Sequence, residues 1–355
     1  ATIAPTLTII PTPQPKKSTL KIKKSDFKAS ESPLIKIDGD GTDFQVELTN
    51  PKKESFTPRF SFKNDNGRFL EIEKPRQFRP GKYHLKITDG QGQVVLEQDF
   101  TWGVLAINTN KSIYLPNETA NLAMAVLDEK SMMVCDAKLK LTIKEDSQNI
   151  NDELSTENGK IKVNQECKIH DFTLKPDYEA QYQVKGQGRY EMSLTAETKN
   201  GNYTIADFFE VKENISFEIE RDTATRIYPI KDYPVTFNIK ANEDFEGTVE
   251  EIVPRGFEIL PALNNRSFDE VIENEQQKII RWQMSIKKDE RISLGYNYNA
   301  PDESPYFYLL GKLGFLNKNN VRIFEEARFW QIASDAPVYK FQSGYYVGTG
   351  QCRPV

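Results

Sequence analysis

Three kinds of side chain in this sequence have the type and spacing to do chemistry: aspartates, cysteines and histidines. In Ile37-Asp38-Gly39-Asp40-Gly41-Thr42-Asp43, three aspartates alternate with glycines and a threonine. Calcium takes several oxygen ligands from one tight loop, and glycine lets a short loop wrap around an ion. Asp38, Asp40 and Asp43 are therefore candidate calcium ligands. The twelve-residue calcium-loop pattern is incomplete, since no glutamate closes it, and an Asp-Gly hairpin turn accounts for the same residues. The three cysteines, Cys135, Cys167 and Cys352, lack metal-site spacing. Cys135 and Cys167 flank a polar excursion, and two readings are open: a bridge between its ends, or two small buried thiols. A bridge would restrict the unfolded chain by about 3–4 kcal/mol and implies an oxidising exterior. Neither residue lies in the helix-start or glycine-rich setting that activates a thiol. The two histidines, His84 and His170, sit in alternating or loop-like contexts and read as surface or edge residues. Hydrolytic elbows, phosphate loops and dinucleotide fingerprints are absent from the sequence. The expectation is a chain with no catalytic residue and no cofactor beyond calcium.

The elements that must position these residues have a period of 2, not 3.6. Phe44-Gln45-Val46-Glu47-Leu48 alternates, as do Tyr83-His84-Leu85-Lys86-Ile87, Leu139-Lys140-Leu141-Thr142-Ile143 and Val235-Thr236-Phe237-Asn238-Ile239. Turn signals divide such runs, at Asn66-Gly67, Pro80-Gly81, Asp89-Gly90 and Asn200-Gly201. Alternation punctuated in this way is the signature of antiparallel sheets with one buried face. The chain reads as all-β.

An internal repeat gives the domain count. Gly81-Lys82-Tyr83-His84-Leu85-Lys86-Ile87-Thr88 matches Gly188-Arg189-Tyr190-Glu191-Met192-Ser193-Leu194-Thr195 in pattern. The spacing between the copies is close to one immunoglobulin-like sandwich, about 100 residues. Each copy is followed by a turn and then by Asp99-Phe100 or Asp207-Phe208. In sandwiches, a tyrosine entering the penultimate strand hydrogen-bonds the preceding corner, which predicts a shared role for Tyr83 and Tyr190. The boundaries that follow are a Pro/Thr-rich extension over 1–19, sandwiches over 20–102, 103–213 and 214–334, and an aromatic tail over 335–355. The tail reads as the start of a further domain.

Composition bounds the remainder. Hydrophobic residues make up 38% of the 355, but 21 Phe and 15 Tyr are enough to build several small cores. A formal net charge of -5 implies no nucleic-acid partner. No run of 18 apolar residues occurs, so no membrane-spanning helix is expected. In the extension, Leu7, Ile9 and Ile10 alternate with polar residues as a donated edge strand would, although a floppy terminus has the same look. Lys16, Lys17, Lys21, Lys23 and Lys24 follow as a solvated strand face, with wall polymer as a further contact.

The run Ile107-Asn108-Thr109-Asn110-Lys111-Ser112-Ile113-Tyr114-Leu115-Pro116-Asn117-Glu118-Thr119 resembles the segment that opens the second macroglobulin domain of alpha-2-macroglobulin-type proteins. Asn117 stands where that family usually has Gly, and a left-handed turn suits both residues. The protease-trapping function is not implied. The thioester motif of that family is missing, because Gly350-Gln351-Cys352 is followed by Arg353-Pro354. The third domain is similar to immunoglobulin-like repeats of large bacterial surface proteins, in Gly247 to Phe257, Ile280 to Gln283 and Leu294 to Pro301.

The sequence therefore predicts a rod of tandem macroglobulin-like and immunoglobulin-like β-sandwiches. It would be extracellular, non-catalytic and structural, located at the cell surface. Self-assembly into a layer or filament would use the termini, through Leu7, Ile9 and Ile10 at one end and Tyr345 and Tyr346 at the other. Head-to-tail contacts of that kind propagate. Two other functions fit the same features. One is an adhesin that binds carbohydrate or a host protein through exposed Tyr306, Phe307 and Tyr308. The other is the accessory region of a larger secreted enzyme.

Overall fold

The computed structural model describes residues 18–334, apart from residues 65, 148, 168–174 and 228–230 and the side chain of Gln77, together with the backbone of Val338–Phe341, Gly344–Val347 and Gln351–Pro354. Among these residues the regular structure is strand. Burial alternates with the residue, as the period-2 pattern requires. In Tyr178–Gln183, Tyr178, Ala180 and Tyr182 face the core, while Glu179, Gln181 and Gln183 face water.

The sheets pair into three sandwiches. In the first, a four-stranded sheet runs in the order Thr19–Ile22, Leu34–Asp38, Arg68–Ile72, Phe60–Asn64. Its five-stranded partner runs Asp26–Phe27, Val94–Trp102, Gly81–Asp89, Phe44–Thr49, Ser55–Phe56. The second sandwich repeats this order position for position. Leu105–Thr109, Thr119–Val126, Tyr178–Gln183 and Ile161–Val163 face Ile113–Tyr114, Gly201–Val211, Gly188–Thr198, Lys138–Glu145 and Ile150–Ser155. In the third, Phe217–Thr223, Asp232–Ala241, Arg291–Asn299 and Glu258–Pro261 face a larger sheet that includes Tyr306–Asn317, Phe245–Pro254 and Gln277–Ile286. Each sandwich also lays a two-residue strand parallel to its last long strand: Asp26–Phe27, Ile113–Tyr114 and Arg226–Ile227. Beyond them, Val338–Phe341, Gly344–Val347 and Gln351–Pro354 form a three-stranded antiparallel sheet.

The repeated tyrosines do what the corner argument requires. The Tyr83 hydroxyl donates to the Arg79 carbonyl at 2.6 Å, and the Tyr190 hydroxyl donates to the Gly186 carbonyl at 2.8 Å. Each ring stacks on a phenylalanine of the returning strand, Phe100 at 5.7 Å and Phe209 at 4.9 Å. This register corrects the downstream match. Phe100 lies opposite Tyr83, and the residue opposite Tyr190 is Phe209, not Phe208. A one-residue slip moves a side chain to the other face of a sheet. Phe208 accordingly points away from the core, under the Arg189 guanidinium at 3.5 Å.

The sandwiches are not arranged as a rod. The short strand Gln77–Phe78 of the first pairs antiparallel with Phe307 and Tyr308 of the third. The first hydrophobic core also takes in Ala106 and Ala125 from the second domain and Phe307, Leu309 and Ala333 from the third. Every domain touches the other two, because apolar surface at the ends of the sheets is buried against a neighbour instead of left in water.

Candidate functional site

The segment singled out by its pattern, Ile107 to Thr119, folds as a turn whose polar residues bind one another. Lys111 Nζ lies 2.6 Å from Glu118 Oε1, and Glu118 Oε2 accepts the Leu115 backbone N–H at 2.9 Å. The Tyr114 hydroxyl donates to Asn110 Oδ1 at 2.7 Å, and the Asn121 backbone N–H donates to the same oxygen at 2.9 Å. Asn117 sits at φ 68°, a left-handed conformation that Asn and Gly tolerate best. The pattern Asn-Lys-x-x-Tyr-x-Pro-Asn-Glu thus encodes loop closure. Asn110 then reaches outward, since its Nδ2 donates to Glu220 Oε1 at 2.8 Å and its carbonyl accepts the Arg221 backbone N–H at 2.9 Å. The same turn that opens the second sandwich is bolted to the first strand of the third.

Next to it, all three domains meet on one carboxylate. Asp207 accepts Lys28 Nζ of the first domain at 2.8 Å and Arg328 Nη2 of the third at 2.7 Å. Asp207 and Arg328 are buried, and Lys28 nearly so. Arg328 also donates to Thr109 Oγ1 at 3.2 Å and to the Ile107 carbonyl. Asn108 Nδ2 donates to the Gln331 carbonyl at 2.8 Å, while its Oδ1 accepts the Gln331 N–H at 3.0 Å. Arg226 pairs with Asp177 at 3.0 Å. Charges this deep are tolerated only when paired and hydrogen-bonded, and removing one member strands the others.

The contact between the first and third domains is aromatic. Phe78 stacks on Trp102 at 4.7 Å on one side and on Phe307 at 5.8 Å on the other. The Arg79 guanidinium lies 4.4 Å from the centre of the Tyr306 ring and donates to the Pro305 carbonyl at 3.2 Å. This overturns the reading of Tyr306, Phe307 and Tyr308 as an exposed binding platform. Phe307 and Tyr308 are each 1% exposed. Alternation shows that a strand has two faces, but not that a second domain covers one of them.

A second buried charge cluster lies inside the third domain. Arg221 Nη1 and Nη2 meet Glu251 Oε1 and Glu326 Oε2, each at 2.5 Å. Two carboxylates share one guanidinium, and burial, only partly offset by Arg221, pushes the Glu251 carboxyl above its ordinary range. These residues carried a sequence signal that went unread. Arg221 follows Phe217 and Ile219 at the inward parity of its strand, and Asp207 holds the parity of Ile205 and Phe209. A charge at a core position of an alternating run marks a buried pair.

Of the residues expected to bind calcium, Asp38 ion-pairs with Lys36 at 2.9 Å. The loop itself is held by protein groups. The Gly41 N–H donates to Ser18 Oγ at 2.9 Å, and Arg68 Nη1 donates to the Gly39 carbonyl at 3.2 Å. Among the described residues, no three His, Cys, Asp or Glu side chains are grouped to hold a metal ion, so Asp38, Asp40 and Asp43 are not brought together as a donor set. Cys135 and Cys167 form a disulfide with Cα atoms 5.6 Å apart. Cys167 packs with Leu127 and Met133 in a small satellite core. His84 lies on an exposed strand face between Asp99 at 2.8 Å and Glu97 at 3.1 Å, and hydrogen bonding to Asp99 raises its pKa. His170, Leu7, Ile9 and Ile10, and the side chains of Tyr345, Tyr346 and Cys352, lie outside the described residues. No helix among the described residues is long and apolar enough to cross a membrane.

No family model matches the chain, and no curated protein matches it in sequence. Solved structures similar to it include a trypsin-activated alpha-2-macroglobulin from Escherichia coli, at 10% identity and a TM-score of 0.20 over 96% of this chain and 24% of the other. The chicken CNTN1 FN1-FN3 domains align over 89% of this chain and 98% of theirs, at 7% identity and a TM-score of 0.20. The Escherichia coli adhesin FdeC aligns over 89% of this chain and 96% of its own, at 10% identity and a TM-score of 0.21. The chain spans about a quarter of the length of the alpha-2-macroglobulin it resembles.

Proposed function

We propose that the chain is a non-catalytic structural unit of an extracellular surface protein, a rigid block built into a layer or filament. The observation that carries this reading is the junction on Asp207, where one buried carboxylate ties Lys28 and Arg328 from the two flanking domains. Buried paired charges fix one arrangement of the parts they join, because any other arrangement leaves a charge unpaired in the interior. A block of fixed shape is what a repeating assembly needs, and segments that can donate a strand are the natural links between copies. The Cys135–Cys167 disulfide supports an oxidising, extracellular setting. The test is to delete residues 1–15 and examine the protein by negative-stain electron microscopy beside the full chain. Layers or filaments from the full chain that are lost on deletion support the proposal. Assemblies of the same form from both proteins, or from neither, overturn terminal self-assembly.

A further inference from the structure

A cleft of about 1080 Å³ separates the first domain from the third, with Arg59, Lys74 and Arg76 on one side and Arg255, Gln277 and Phe329 on the other. The cations crowd one ring. Lys74 Nζ lies 4.7 Å from the centre of Phe329, the Arg76 guanidinium 5.6 Å and Lys312 Nζ 5.6 Å. Most cations nearby are balanced: Lys312 by Glu325 at 3.5 Å, Lys28 by Asp207 at 2.8 Å and Arg255 by Glu273 at 3.1 Å. Lys74 and Arg76 are not. Lys74 Nζ donates to the Ser30 carbonyl, Arg76 Nε donates to Gln277 Oε1 at 3.1 Å, and neither meets a carboxylate among the described residues. Arg76 Nη1 is buried with no acceptor there.

The two groups are held in place before any ligand arrives. The Arg76 carbonyl accepts the Leu309 N–H at 3.2 Å, next to the strand pairing of Gln77 and Phe78. At Gly311, any Cβ would lie 2.5 Å from the Phe329 ring, so the missing side chain is what lets that ring lie beside the two cations. A buried guanidinium edge without an acceptor is costly, and so are two neighbouring cations with no carboxylate in contact with either. Burial, then the positive charges of Arg76, Lys28 and Lys312, outweigh Glu31 and lower the Lys74 pKa to about 8.

We propose that this cleft binds a ligand through a single oxyanion, a carboxylate or a phosphate monoester, held between the Lys74 ammonium and the Arg76 guanidinium. Both oxyanions accept charge-assisted hydrogen bonds from such a pair. Glu73, Glu273 and Glu275 line the same cleft, so a ligand with one anionic group fits and a polyanion is repelled. The site does not use Asp207 and stands whether or not the protein self-assembles.

The test titrates the full chain with inorganic phosphate, acetate and polyglutamate by calorimetry, beside Arg76→Gln and Lys74→Met. The expected result is saturable binding of phosphate or acetate, at least about tenfold weaker in each variant. Whichever of the two binds more tightly identifies the ligand's anionic group. Acetate affinity should also fall as pH rises past about 8 in the wild type and stay level in Lys74→Met. If Arg76→Gln does not fold, as judged by circular dichroism, Lys74→Met and the pH series decide. Absence of saturable binding of either small anion overturns the proposal, as does equal affinity in wild type and folded variants, or tighter binding of polyglutamate than of acetate per carboxylate.

Discussion

At the scale of the residue, the buried charges matter most for this molecule. Asp207 is the only anion paired to Lys28 and Arg328 among the described residues, and all three side chains are largely withdrawn from water. Asp207→Ala strands two cations, and removing one partner of a buried pair costs about 3–5 kcal/mol. The expected outcome is a lower midpoint in urea unfolding with the wild-type strand content retained by circular dichroism. A loss of less than about 1 kcal/mol, the range of an exposed pair, would show that the junction is solvated. Such residues were only half legible in the sequence. Their inward parity could be counted, but the partner comes from another domain, and nothing local names it.

At the scale of the element, the sequence said more. The tyrosine corner was legible because its geometry is local, with hydroxyl and carbonyl four residues apart in both copies. The turn at Asn117 was legible for the same reason, since a left-handed φ restricts the residue that occupies it. The match of Phe208 to Phe100 failed because the lengths of the two hairpins differ. Register is set by the turn, so counting along the chain does not carry from one copy to the next. The disulfide belongs to this scale too. It closes the excursion that carries the strands Ile150–Ser155 and Ile161–Val163, which end the two sheets of the second sandwich. Restricting that loop in the unfolded state contributes about 3–4 kcal/mol. Adding reductant, or replacing both cysteines by serine, should lower the melting temperature of the second domain. An unchanged melt with free thiols confirmed by mass spectrometry would mean the staple adds nothing.

At the scale of the whole molecule, the sequence was least informative, and the reason is physical. Periodicity reports which face of a strand is apolar, and tandem sandwiches give the same pattern whether their ends stack in line or fold back on one another. The difference rests on a few contacts far apart in the chain: Phe78 between Trp102 and Phe307, and the short ladder from Gln77 and Phe78 to Tyr308 and Phe307. Burying three aromatic rings at one contact removes several hundred Å² of apolar surface from water, a driving force absent from an end-to-end array. The closed form predicts a radius of gyration by small-angle scattering near the value of about 20 Å that suits one compact body of this length. Phe78→Ser takes the middle ring out of the stack and leaves the Asp207 junction intact. The first domain should then hinge on that junction, increasing the radius of gyration and the maximum dimension while each sandwich stays folded. A wild-type profile already as long as an extended array, or a Phe78→Ser profile that superimposes on the wild type, would show that the aromatic stack does not close the molecule.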